Sequence, residues 1–170
     1  NGGTVSSTRN KKMIGECDIY IPSTCFGKDK MKCYMNFEDL QSKESYKPMQ
    51  VYGQSKLANI LFTKSLSTKL SDFGVTVNCL HPGFVSTGIG SNNNKTLWSF
   101  LMFLAKPFAR KTDKGAETSI YLCSSSEVEN VSGEYFVDCK IEKISDAAKS
   151  SEQAESLWKI SSELTGIDLN

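Results

Sequence analysis

The stretch from Pro48 to Gly83 constrains the fold of this chain more than any other. After Pro48 the sequence runs to Leu70 with no further proline and one glycine, Gly53, and carries Leu57, Ile60, Leu61, Phe62, Leu66 and Leu70. These apolar positions cover more than one side of a helical wheel, so the spacing predicts a long helix beginning near Gln50 and buried on two sides. Pro48 biases Lys47 away from helical backbone and marks the start. Ser71-Asp72-Phe73-Gly74 supplies the stop, with Gly74 placed for a left-handed termination. Val75-Thr76-Val77-Asn78-Cys79-Leu80 follows at once, β-branched and mainly apolar, and runs into His81-Pro82-Gly83. A long helix, a tight turn and a strand make half of a βαβ unit, which points to an α/β fold built on a parallel sheet.

The downstream chain continues the pattern. Thr112-Asp113 is placed to cap a helix from Lys114 to about Ser125 that carries Ala116, Ile120, Tyr121 and Leu122. Val131-Ser132-Gly133 then turns into a short strand, Glu134 to Asp138. Ser151 to Leu164 reads as an amphipathic helix with Ala154, Leu157, Trp158 and Ile160 inward, ending at Thr165-Gly166. Upstream, residues 37–50 predict a loop with at most a turn of helix. Residues 1–36 form an irregular segment in which Arg9, Lys11 and Lys12 suggest a loop or unpaired end, and Asp18-Ile19-Tyr20-Ile21 offers a strand stopped by Pro22. The expected organisation is therefore an irregular segment, 1–36, followed by one globular portion, 37–170.

At 170 residues, with 39% hydrophobic and 23% charged residues, the chain is of a size and composition to bury a core. A formal net charge of +1 and the lack of a dense basic run argue against a nucleic-acid partner. The six cysteines have no C-x-x-C spacing and the single histidine is His81, so a zinc site is not expected. With a polar N-terminal sequence that does not read as a signal peptide, reduced and mostly buried thiols in the cytoplasm are the expectation, and the sequons at Asn94 and Asn130 carry no weight there. The apolar run from Leu97 to Ala105 is about half the ~20 residues a membrane-crossing helix requires.

Within the long helix, Tyr52 and Lys56 stand at i and i+4, one above the other on one face. A phenol is a poor acid or base at neutral pH, but an adjacent ammonium favours the phenolate and fits it for proton transfer at an alcohol or carbonyl. A serine hydrolase is a poor alternative, because His81 lies between a strand and Pro82 and no G-x-S-x-G elbow is present.

In four stretches taken in order, YGQSKLANILFT, GVTVNCLHPGFVSTGIG, KGAETSIYL with VSGEYFVDC, and LWKISSELTGI, the chain closely resembles the short-chain dehydrogenase/reductase superfamily, and most of all its retinol dehydrogenase-like branch. The resemblance covers about residues 35–166. It implies a C-terminal part of a Rossmann-type doubly wound parallel sheet, with the N-terminal glycine-rich half that binds the dinucleotide pyrophosphate not among these residues. It also implies an oxidoreductase moving a hydride between a nicotinamide cofactor, NADP(H) or NAD(H), and a hydrophobic alcohol or carbonyl compound.

In that scheme Tyr52 is the catalytic acid/base, and Lys56 supports it while holding the nicotinamide ribose. Pro82, Gly83, Val85 and Thr87 line the cofactor pocket. The family's substrate-holding serine has no clean counterpart: its usual spacing from Tyr52 lands on Gly27, and Ser23, after Ile19-Tyr20-Ile21, is preferred to Ser7 as a strand-end serine. Asn78 and His81 are expected to be structural. The segment from Leu97 to Leu104 occupies the place of the family's substrate-covering loop. Pairing of two copies through the Tyr52–Leu70 helix is expected, and membrane association in a longer form is left open. The competing reading is a catalytically inactive truncated family member, or a partial sequence, acting through protein interaction.

Overall fold

The computed structural model describes residues 11–16, 34–82 and 112–167. Their elements in chain order are β1 (Lys11–Glu16), α1 (Pro48–Lys69), β2 (Val75–His81), α2 (Thr112–Ser124), β3 (Tyr135–Val137), β4 (Lys140–Ile141), α3 (Asp146–Lys149) and α4 (Ser151–Thr165). Short 3-10 turns at Ser71–Phe73 and Ser126–Val128 follow α1 and α2.

The strands form one sheet in the order β1-β2-β3-β4. β1 runs parallel to β2, with Lys11 opposite Val75 and Glu16 opposite Leu80, and β2 runs parallel to β3, with Cys79 opposite Tyr135. β4 turns back antiparallel on β3.

Alternation along β2 and β3 sends successive side chains to opposite faces, and each face has its own cover. Cys79 and Tyr135 join Leu57, Ile60, Leu61, Ala148, Ala154 and Leu157, so α1, α3 and α4 lie over one face. Leu80 and Phe136 pack with Leu122 and Val128, so α2 lies over the other. Helices on both faces of a mainly parallel sheet make this the C-terminal part of a Rossmann-type doubly wound domain.

Local signals explain most element ends. Gly74 and Gly166 terminate the turn after α1 and the helix α4 in left-handed backbone, as their placement predicts. α1 begins at Pro48 rather than Gln50, because a first-turn residue has no use for the N–H that proline lacks. Its burial is two-sided in part only: Phe62 is 46% exposed and stacks on Trp158 at 5.5 Å between ring centroids. On α2 the inward stripe is Gly115, Thr118 and Leu122, while Ala116 and Ile120 face outward.

Three expectations are corrected. Lys11 and Lys12 open a strand instead of a loop, because backbone pairing with β2 outweighs weak local β propensity. The strand expected at Ile19-Tyr20-Ile21 lies outside the described residues. Asp138 does not extend β3: it forms with Cys139 a two-residue turn with φ of 50° and 61°, leading to the unforeseen β4. That backbone costs energy at a cysteine, and the Cys139 N–H is held by a hydrogen bond of 3.2 Å to the buried Thr118 hydroxyl. Of the cysteines described, Cys79 alone is buried; Cys139 is half-buried and Cys123 exposed, so the thiols here are free but not mostly buried.

The link from β2 to β3 is a polar lacing. Asn78, buried, donates to the Val131 carbonyl at 2.7 Å and accepts from the Glu134 N–H at 3.1 Å. Val77 N–H donates to the Ser132 hydroxyl, and Gly133 N–H to the Val77 carbonyl at 2.7 Å. Gly133 has φ +80°, and a methyl group there would meet the Ser67 hydroxyl oxygen at 2.8 Å.

Gly133→Ala should therefore destabilise the fold by about 1–3 kcal/mol in urea denaturation. Ser67→Ala in the same chain should recover only a minor part, because the hydroxyl can swing aside and the backbone conformation carries the main cost. The segment before α1 gives a pH prediction. Desolvation alone would raise the Asp39 carboxyl, but the N–H groups of Lys43, Glu44 and Ser45 and the charge of Lys43 outweigh it and hold the group below its ordinary value of 3.8. A depressed carboxyl contributes stability above its unfolded value and loses it as pH falls through the folded one. Amide exchange of Lys43, Glu44 and Ser45 should therefore lose protection only below about the ordinary carboxyl range, and Asp39→Asn should abolish that pH dependence.

Candidate active site

The sheet's carboxyl edge is where the parallel strands end together, at Glu16, His81 and Val137. α1 leads through a tight turn into β2, so helix and strand run in opposite directions. Leu66 and Leu70 pack beside Val77 and Val75, and Leu57 packs beside Cys79. Each helical residue advances about 1.5 Å, so the turns before Leu57 project toward the carboxyl edge. Tyr52 and Lys56 stand on those turns. In doubly wound sheets this edge is the ligand-binding side.

The Lys56 ammonium nitrogen lies 5.3 Å from the centroid of the Tyr52 ring, so the i, i+4 spacing brings the two together as predicted. Both side chains are half-buried, reachable from solvent yet partly fixed by their surroundings. The Ser55 hydroxyl donates to the Tyr52 carbonyl at 2.7 Å and faces outward. Pro82, half-buried, follows β2 directly at the same edge. Ser23, Gly83, Val85 and Thr87 lie outside the described residues, as does the segment from Leu97 to Leu104. Asn78 is a structural residue, spent on the backbone of the 131–134 loop.

Cys79, in the core below the site, is not a nucleophile. Burial pushes its thiol up to about 11, against a weaker lowering by the Thr63 hydroxyl, and keeps it protonated at neutral pH. Among the described residues no group of three or more His, Cys, Asp and Glu could hold a metal ion.

One residue in the motif was missed in the sequence reading. Gln54, between Tyr52 and Lys56, is 7% exposed. Its side-chain oxygen accepts from the Asn36 N–H at 3.0 Å, and its NH2 donates to the Leu40 carbonyl at 3.1 Å. The available signal was a long polar side chain on the opposite face of the helix from the Tyr-Lys pair, one turn from Val51, Leu57 and Ala58.

Residues 38–98 match the family model for short chain dehydrogenases. The chain is 45% identical over 135 residues to retinol dehydrogenase 14 of Homo sapiens, an alignment covering 78% of the chain and 40% of that protein. It is 41% identical over 133 residues to retinol dehydrogenase 12 of Mus musculus, covering 78% and 42%. A WW domain-containing oxidoreductase of Pongo abelii is 38% identical over 125 residues, covering 72% and 30%. The chain thus spans less than half the length of these curated relatives. Its fold matches the crystal structure of an uncharacterized protein from Mycobacterium paratuberculosis, with a TM-score of 0.63 at 22% identity over 95% of the chain and 52% of that protein. The motifs around Tyr52, the doubly wound fold and these relatives agree, and the chain belongs to the short-chain dehydrogenase/reductase superfamily, in its retinol dehydrogenase-like branch.

Proposed function

We propose that this chain carries the proton-transfer half of a nicotinamide-dependent oxidoreductase acting on a hydrophobic alcohol or carbonyl compound. The observation that carries the reading is the Lys56 ammonium held 5.3 Å from the Tyr52 ring centroid at the ligand-binding edge of the sheet. In the oxidative direction the Tyr52 oxygen takes the proton from the substrate hydroxyl, and in the reductive direction it returns one to the carbonyl oxygen. Lys56 stabilises the negative charge the phenol oxygen bears between those events. A strand-end serine, for which Ser23 is the candidate, would hold the substrate oxygen in place.

The residues at the edge fit a nicotinamide nucleoside in their chemistry. Lys56 is a half-buried ammonium suited to donating to sugar hydroxyls, and Pro82 follows β2 at the same edge, ahead of Gly83, Val85 and Thr87 in the chain. A bound nicotinamide supplies the hydride donor or acceptor. NADP(H) is favoured over NAD(H) by kinship with the retinol branch. The half-exposed Phe62 on α1 supports that helix as a surface for pairing with a second copy.

The second reading is a catalytically inactive truncated family member, or a partial sequence, acting, if at all, through protein contacts.

Titration of the purified 170-residue chain with NADPH and with NADH separates the two. A saturable change in nicotinamide fluorescence with either supports the enzyme reading, and its lack with both excludes catalysis by this chain alone. In an active protein, Tyr52→Phe should lower turnover roughly a hundred- to ten-thousand-fold with cofactor binding nearly intact. Unchanged turnover would remove Tyr52 from its assigned role.

A further inference from the structure

The helix that bears the Tyr-Lys pair begins without a conventional cap. Lys47 is extended and makes no side-chain capping bond, and the first turn has no acidic residue. Pro48 removes one of the four N–H groups that lack a partner at a helix start, and the others leave fraying concentrated there, one turn from Tyr52. Something else has to hold that end.

The segment before it is a body with its own internal bonds. The Asp39 carboxylate accepts from the N–H groups of Lys43, Glu44 and Ser45 at 2.7, 3.1 and 3.2 Å. Met35 is buried in the core cluster, and Phe37 and Leu40 pack against it. That body joins α1 by polar contacts at Gln50, whose NH2 donates to the exposed Tyr34 hydroxyl at 3.2 Å, and at Gln54, which uses both ends of its buried amide on two separate backbone groups, at Asn36 and Leu40. The buried Thr63, by contrast, bonds back to the Asn59 carbonyl of its own helix at 2.9 Å.

Successive helical residues turn by about 100°, so Gln54 stands about 160° from Tyr52, on the back of the same turn. We propose that Gln54 is a positioning residue for the Tyr52–Lys56 pair: by clamping residues 36–40 to the back of α1, its amide fixes the turn that aims both side chains at the carboxyl edge. The apolar anchors provide adhesion and leave the rotation and register of that turn to be set, and two directional hydrogen bonds set them. The proposal rests on the acid/base reading of the pair, but its test does not need turnover.

The test is NMR on the full chain labelled with 15N and with 13C at the tyrosine Cζ, using Tyr52→Phe to assign the Tyr52 signal. Gln54→Met keeps volume and burial while removing both bonds. Exchange of the Asn36 amide should accelerate by about tenfold, and the Tyr52 signal should move. Amides of α4 should exchange as before. If the methionine variant loosens α4, Gln54→Glu decides: it keeps an acceptor for Asn36 and, as a carboxylate, sets a charge against the Leu40 carbonyl in place of the donor, so the Tyr52 signal should move above the carboxyl's own titration and return below it, where the protonated acid donates to Leu40 again. A Tyr52 signal unchanged while Asn36 loses protection would overturn the proposal and leave Gln54 as a loop anchor only. Full activity of Tyr52→Phe would instead remove the catalytic reading and leave the clamp standing.

Discussion

Burial of the α1 side chains against one face of β2 is the interaction on which the rest depends. Leu57, Ile60 and Leu61 are at most 2% exposed and sit over Cys79, while Leu66 lies over Val77. Truncating one such leucine to alanine in a packed core removes about 2–5 kcal/mol, a large fraction of the net stability of a small domain. The contact also fixes geometry. A helix packed along an adjacent strand is kept from sliding as a body, and the turn that carries Tyr52 and Lys56 is left to be aimed by its own contacts.

The same strand has to recruit a partner from far along the chain. β3 pairs with β2 across more than fifty intervening residues (|i−j| of 53 to 56 for the side-chain links), and closing so long a loop is entropically costly. β3 itself is three residues long, too short to hold its place on ladder hydrogen bonds alone. Asn78, Ser132 and Gly133 extend the attachment backward into the loop, and the Thr118 contact with Cys139 extends it forward into the hairpin. The short strand is a segment of a longer polar seam. This accounts for a buried asparagine in a strand otherwise made of Val77, Cys79 and Leu80: both ends of its amide are satisfied, so its burial carries no penalty for unmade bonds.

What could be read in advance divides along the same physical line. α1, β2, the left-handed stops at Gly74 and Gly166 and the pairing of Tyr52 with Lys56 follow from periodicity and from residues within a turn or two, so they stood out in the sequence. The strand at Lys11–Glu16 did not, because its cause is a partner more than sixty positions away. Neither did the Asp138-Cys139 turn, whose backbone is held by Thr118 on another helix. Gln54 was hidden for a related reason. A glutamine in a helix is ordinarily a solvated residue, and only the arrival of Asn36 and Leu40 at its back makes it a clamp.

Proton transfer and hydride transfer place different demands on a fold. The proton half needs a phenol and a cation at fixed separation, which one helix supplies by its own repeat, so it can be encoded within five consecutive residues. The hydride half needs a dinucleotide aligned over several strand ends, which no single element can supply. In a parallel sheet those ends are brought level only by lateral pairing, and β1, β2 and β3 show that pairing in register from Glu16 to Val137. A Tyr-Lys pair at i and i+4 is therefore encoded in a compact stretch of sequence, whereas a dinucleotide site is distributed over several strand ends by necessity.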